Sequence, residues 1–144
     1  MLKRKKGAIV SLGSGSTLVL PSYPCNALYA GTKDYVAVFS QNLSIEYKEQ
    51  GIDIQCQAPL LVATRMISNI IDWKSFWVCS SEEYGKASLR WIGYESLCIP
   101  NMTHAAQVYL VGLLSEWVCR QCAFHIILRL RNKLLLQEES SRTT

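Results

Sequence analysis

The chain has 144 residues, a formal net charge of +4, and 49% hydrophobic against 18% charged residues. That is one domain by length, with enough apolar material to bury a core, so a disordered chain is excluded. The positive excess comes from Lys3-Arg4-Lys5-Lys6 and from Arg129, Arg131 and Lys133. Such small clusters read as solvated ends or a weak anionic-surface contact, and no nucleic-acid partner is expected.

The basic start is followed by an apolar run, which Gly13-Ser14-Gly15-Ser16 interrupts before it reaches signal-peptide length. No secretion signal is read there. Residues 7–12 predict a strand, and the Gly, Ser and Pro concentrated from Gly13 to Asn26 predict turns. A helix is expected from about Ala27 to Gln50, because Val36, Phe39, Leu43 and Tyr47 recur at spacings of three and four, with Gly51 placed to end it. Residues 52–57, with β-branched Ile52 and Ile54, predict a second strand. A strand, a helix and a strand in that order predict a parallel βαβ unit, here a two-stranded pair with uncovered edges.

Ser80 with Glu83 three residues on forms a capping-box pattern, opening a helix to about Trp91. Ala105 to Leu130 is the most apolar part of the C-terminal half. Glu116, Arg120 and His125 divide it into pieces shorter than the roughly 20 residues of a membrane span. A core or interfacial helix pair is expected, with a monotopic membrane role left open. Gln137 to Thr144 is polar and is expected to be a disordered tail. Asn42-Leu43-Ser44 and Asn101-Met102-Thr103 match glycosylation sequons, relevant only to a chain that enters the lumen.

The six cysteines lack the dense spacing of a disulfide scaffold, so reduced thiols are expected. Cys119-Arg120-Gln121-Cys122 with His125 offers only three metal ligands and no second Cys pair, so the reading is of apolar Cys on a mostly buried helix. No metal is assigned.

Chemistry concentrates in Tyr29-Ala30-Gly31-Thr32-Lys33. Residues at i and i+4 share a helix face, so the spacing predicts the Lys33 ammonium beside the Tyr29 phenol, which makes Tyr29 a candidate proton donor. The Ser14 hydroxyl lies at the end of the strand upstream. Ser, Tyr and Lys in this order resemble the short-chain dehydrogenase/reductase family. Pro59-Leu60-Leu61-Val62-Ala63-Thr64 and Leu89-Arg90-Trp91-Ile92-Gly93-Tyr94-Glu95 extend the resemblance to its very-long-chain 3-oxoacyl-CoA reductase branch, particularly the plant members.

The resemblance implies an α/β, partial Rossmann-like fold lacking the N-terminal cofactor-binding strands. Residues 1–100 would be the C-terminal half of the reductase domain, beginning at an internal Met, 101–136 an apolar helical segment and 137–144 the tail. It implies NADPH as cofactor and reduction of very-long-chain 3-oxoacyl-CoA to 3-hydroxyacyl-CoA in fatty acid elongation. In that reaction Tyr29 is the general acid, Lys33 its electrostatic support and ribose contact, and Ser14 the hydrogen bond to the carbonyl oxygen, while Val62 and Thr64 sit by the nicotinamide. Ser16 has the commoner family spacing to Tyr29, and both serines stand as alternatives. The implied partners are acyl-CoA and other elongation enzymes, at the cytosolic face of the endoplasmic reticulum membrane, with a second copy of the chain left open. The residue pattern carries no Gly-rich phosphate turn: Gly13-Ser14-Gly15 is the only Gly-x-Gly, and Leu18 stands at the next required glycine. A non-catalytic interaction protein or peripheral membrane protein derived from a reductase is the alternative.

Overall fold

The computed structural model describes residues 1–20, 22–65 and 77–142. A 3-10 turn at Leu2–Arg4 leads into strand β1, Gly7–Leu12. The short helix α1 (Gly15–Val19) and the long helix α2 (Ala27–Tyr47) follow, then a 3-10 turn at Lys48–Gln50 and strand β2, Ile52–Gln57. Strands and helix fall where the periodicity places them. β1 and β2 are parallel over their full length, from Gly7 opposite Ile52 to Leu12 opposite Gln57. α1 is an addition to the expected turn region, too short at five residues for any apolar period to reveal.

The handover from α2 to β2 depends on Gly51. It adopts φ 69°, and a Cβ there would run into the Lys5 carbonyl oxygen. One glycine therefore ends the helix and lets the lead-ins to both strands pass close together. The face of α2 turned to the sheet is lined by small side chains, with Ala37 and Ser40 buried, while Phe39 stands 47% exposed.

After β2 come β3 (Leu61–Ala63), β4 (Val78–Ser80), α3 (Ser81–Arg90) and β5 (Leu97–Cys98). The expected two-stranded pair is corrected here. β5 adds to the far side of β2, in parallel, through Cys56 opposite Leu97 and Gln57 opposite Cys98, giving the order β1-β2-β5. β3 and β4 form a second, two-stranded parallel sheet. The Ser80 capping box forms as read: the hydroxyl accepts from the Glu83 amide at 3.1 Å and the Glu83 carboxylate accepts from the Ser80 amide at 3.2 Å.

Two buried glutamines latch the end of α3 to β2. Gln55 Nε2 donates to the carbonyls of Trp91 (2.8 Å) and Glu95 (2.7 Å). Gln57 Nε2 donates to the Ser88 carbonyl (3.0 Å) and to Gln55 Oε1 (2.9 Å). The stretch Trp91 to Glu95 is thus the turn that delivers β5 to the sheet, and Gly93 allows it with φ 87°.

The apolar C-terminal half is a helix pair, α4 (Met102–Gly112) and α5 (Glu116–Arg142), bent by 119° at the break. No single described helix is long and apolar enough to cross a membrane. Asn101, read as part of a sequon, caps α4 by accepting from the His104 amide at 3.1 Å, and Asn42 lies within α2. On α5 the residues Cys119, Ala123 and Ile127 form a narrow buried stripe at four-residue spacing, and Trp117, Cys122 and Ile126 are exposed. The expected mostly buried helix is therefore corrected to a mostly exposed one. The expected disordered tail is corrected too, since α5 continues through Arg142. Extending an existing helix costs far less than nucleating one, and Leu134-Leu135-Leu136-Gln137-Glu138-Glu139 are good helix formers.

Candidate functional site

The site grows from the C-terminal end of β1. There the Gly13 amide donates to the Gln57 carbonyl at 2.9 Å and the Gly15 amide donates to the Pro59 carbonyl at 2.8 Å. A Cβ at Gly13 would stand 2.9 Å from Cys56 Sγ, and one at Gly15 would stand 3.1 Å from the Ala58 carbonyl oxygen. Both glycines are required by this close approach of the turn to the chain leaving β2.

Between them Ser14 is buried, 6% exposed, and its Oγ lies 2.7 Å from Ser16 Oγ. The two serines left as alternatives are one hydrogen-bonded pair. Thr17 Oγ1 donates to the Ser14 carbonyl at 3.0 Å, tightening the entry to α1.

Tyr29 and Lys33 lie on one face of the first turns of α2, with Lys33 Nζ 5.9 Å from the Tyr29 ring centroid. The same Nζ donates to the Leu12 carbonyl at 3.0 Å. Lys33 therefore ties the start of α2 to the last residue of β1, two residues before Ser14. Tyr29 is 40% exposed and its ring lies 5.9 Å from that of Tyr23. Its position combines access for a reactant with a fixed cation beside the ring. In open parallel sheets, ligands are received outside the carboxyl ends of the strands, which is where this group stands.

Val62 lies half-buried in β3 opposite Cys79, and Thr64 follows the strand, exposed. The segment between β2 and β3 is held from both sides. Ala58 donates its amide to the Cys98 carbonyl at 2.9 Å. The Leu60 amide donates to His104 Nδ1 at 3.3 Å, and His104 Nε2 lies 3.1 Å from the Leu61 carbonyl. His104 is fully buried, and burial pushes its imidazole below the ordinary histidine range, against the opposing Leu61 hydrogen bond. The neutral ring accepts at Nδ1 and donates at Nε2. Sequence reasoning gave His104 no role. Its only signal was a polar ring three residues after a capping Asn, at the head of an apolar helix.

Nearby thiols are unsuited to nucleophilic work. Burial pushes the Cys56 thiol up, opposed by the Gly13 hydrogen bond and the Lys33 charge, and pushes Cys98 up to about 11. A thiol so held stays protonated at neutral pH.

A family model described as short chain dehydrogenase matches residues 1–75. A very-long-chain 3-oxoacyl-CoA reductase-like protein of Arabidopsis thaliana is 49% identical over 118 residues, covering 81% of this chain and 38% of the relative. Among solved structures, a 7β-hydroxysteroid dehydrogenase superposes with a TM-score of 0.68 at 17% identity, a likeness of fold, over 84% of this chain and 47% of the other. A short-chain dehydrogenase from Sphingobium yanoikuyae in complex with NADPH gives 0.59 at 25% identity, over 80% and 48%. The chain spans less than half the length of each of these proteins. Sequence match and superposed fold together show that it belongs to the short-chain dehydrogenase family and carries part of that family's Rossmann-like α/β fold.

Proposed function

We propose that the residues at the end of β1 serve the reduction of a 3-oxoacyl-CoA to a 3-hydroxyacyl-CoA, with a very-long acyl chain as in fatty acid elongation. The observation that carries this reading is the Lys33 bridge: one ammonium contacts the last carbonyl of β1 and stands beside Tyr29, gathering phenol, cation and the Ser14 turn at one strand end. The name of the plant relative supports the substrate class, and the NADPH complex of the bacterial relative supports the cofactor.

The residues fit the nicotinamide end of such a cofactor. Lys33 would hold the ribose, and Val62 and Thr64 would border the ring. They do not supply a pyrophosphate cradle, because the turn after β1 opens a helix of only five residues. A nicotinamide cofactor held there, NADPH by this reading, would supply the hydride. Tyr29 donates its hydroxyl proton to the ketone oxygen as general acid, and the Lys33 charge stabilises the phenolate left behind. Ser14, its hydroxyl already oriented by Ser16, donates to the same oxygen, where negative charge develops.

Fluorescence titration of the chain with NADPH, beside Lys33→Ala, tests the cofactor part. Saturable binding that weakens in the variant is the expected result, and no binding by the folded chain would assign the reductase function to a longer product. Where reduction of a 3-oxoacyl-CoA is measurable, Tyr29→Phe should lower kcat by a factor of about 100 or more. Unchanged turnover would remove Tyr29 from the mechanism.

A second reading concerns location. Tyr109, Leu110, Leu113, Leu114 and Trp117 are exposed together around the bend between α4 and α5, with Arg129, Arg131 and Lys133 farther along α5. An apolar corner with an aromatic rim and a basic arm fits the cytosolic face of a membrane, such as the endoplasmic reticulum, shared with other elongation enzymes. Flotation with anionic vesicles that survives high salt is expected. Release by salt would leave only the basic arm as the contact.

A further inference from the structure

We propose that His104 is a positioning residue, which holds the segment from Pro59 to Thr64 in register with the Ser14 turn. This rests on the reductase reading for its consequence in catalysis, though the clamp itself does not.

Three backbone groups in succession define the clamp. The Pro59 carbonyl accepts from Gly15, the residue after Ser14, at 2.8 Å. The Leu60 amide donates to His104 Nδ1 and the Leu61 carbonyl accepts from Nε2, at 3.3 and 3.1 Å. A single imidazole thus satisfies a donor and an acceptor on adjacent residues at the entry to β3. On one side the segment holds Gly15, the residue after the proposed oxyanion donor, and on the other it runs directly into Val62. The height of His104 is set in turn by Asn101, whose Oδ1 accepts from the His104 amide at 3.1 Å at the start of α4. The ring of Tyr84 on α3 lies 6.1 Å away by centroids, tilted by 38°.

The geometry requires one tautomer, with the proton on Nε2. A charged ring would carry a second proton on Nδ1, facing the Leu60 N–H. A side chain serving only as core filler would show neither a tautomer preference nor an effect confined to this segment. Gln has an acceptor and a donor on one arm and is the closest chemical substitute. Leu fills similar space with neither.

The test compares the full chain with His104→Leu, His104→Gln and Ile127→Ala, the last a cavity in the buried stripe of α5. In the wild type, nitrogen NMR should show the Nε2–H tautomer of His104. Amide exchange at Gly15 and Leu60 should accelerate about tenfold or more in His104→Leu, beyond its change in α2, and recover in part in His104→Gln. Ile127→Ala should show no such local excess. Should His104→Leu fail to fold, the tautomer and the His104→Gln exchange pattern decide. An Nδ1–H tautomer, or exchange at Gly15 and Leu60 that follows global stability alone, overturns the clamp.

NADPH titration of the same proteins separates the two readings. If the wild type binds, His104→Leu should weaken binding about tenfold and His104→Gln less, while equal affinity in all would overturn the positioning role. If the wild type does not bind, the cofactor reading of this chain fails and the exchange data alone judge the clamp.

Discussion

β1 and β2 are six-residue neighbours in one parallel ladder, with nearly the same apolar content, yet they live in different surroundings. Five of six β2 residues are buried, only Asp53 remaining exposed, whereas no β1 residue is buried and Ile9 and Leu12 are 44% and 53% exposed. The difference is in neighbours. β2 has β1 on one side and β5 on the other, while α2 and the Gln55–Gln57 latch cover it. Among the described residues β1 is paired on one side only. The catalytic candidates nevertheless sit at the end of the exposed strand. β2 acts as the scaffold, and β1 is fastened to it by the ladder and by Gly13 and Gly15, and to α2 by Lys33 through the Leu12 carbonyl.

The sharpest way to break this contrast is a paired truncation. Ile54→Ala, in β2, should cost about 2–5 kcal/mol by chemical denaturation, through lost burial and a residual cavity. Ile9→Ala, opposite it in the register, should cost about 1 kcal/mol or less. Equal costs would mean that β1 is covered in solution. Gly51→Ala attacks the joint between both strands, where positive φ and the Lys5 carbonyl leave no room for a Cβ; a loss of about 1–3 kcal/mol is expected, read from the thermal midpoint.

Ser80→Ala removes the cap of α3, which carries the latch onto β2, and should cost about 1 kcal/mol. The same cap has a pH signature. The Ser80 side-chain and backbone hydrogen bonds hold the Glu83 carboxyl below its ordinary range. A carboxyl depressed on folding adds stability above its unfolded pKa and loses it as pH falls through the folded one. Glu83→Gln should therefore flatten the acid limb of the stability curve, and an unchanged limb would show that the cap is not formed in solution. The smallest effect lies on the open side of α2. A Cβ at Gly31 meets nothing within 4 Å, so Gly31→Ala should raise stability by about 0.5–1 kcal/mol without disturbing Tyr29 or Lys33.

Much of the fold was readable because its determinants are local. The bounds of β1 and β2, the helix between them, the glycine stop at Gly51 and the Ser80–Glu83 box each depend on residues within one element or its cap. The Tyr29–Lys33 pair was readable for the same reason, since helical geometry alone puts i and i+4 on one face. β5 was not, because two residues carry no period and its place depends on Gln55 and Gln57 reaching across about 31 to 40 positions of chain. His104 escaped for a like reason: its partners, Leu60 and Leu61, are more than 40 residues away.

The sequence by itself determined the βαβ unit, its parallel sense, the order Ser, Tyr, Lys and hence the family, because local spacing and backbone preference act before any long-range contact forms. Only the tertiary structure decided that Ser14 and Ser16 act as a pair, that Lys33 reaches back to Leu12, that one strand is buried and its twin exposed, and that a histidine from α4 clamps the chain beyond β2. Those outcomes rest on hydrogen bonds and packing between segments far apart in the chain, and no local pattern encodes which distant backbone group a side chain will meet.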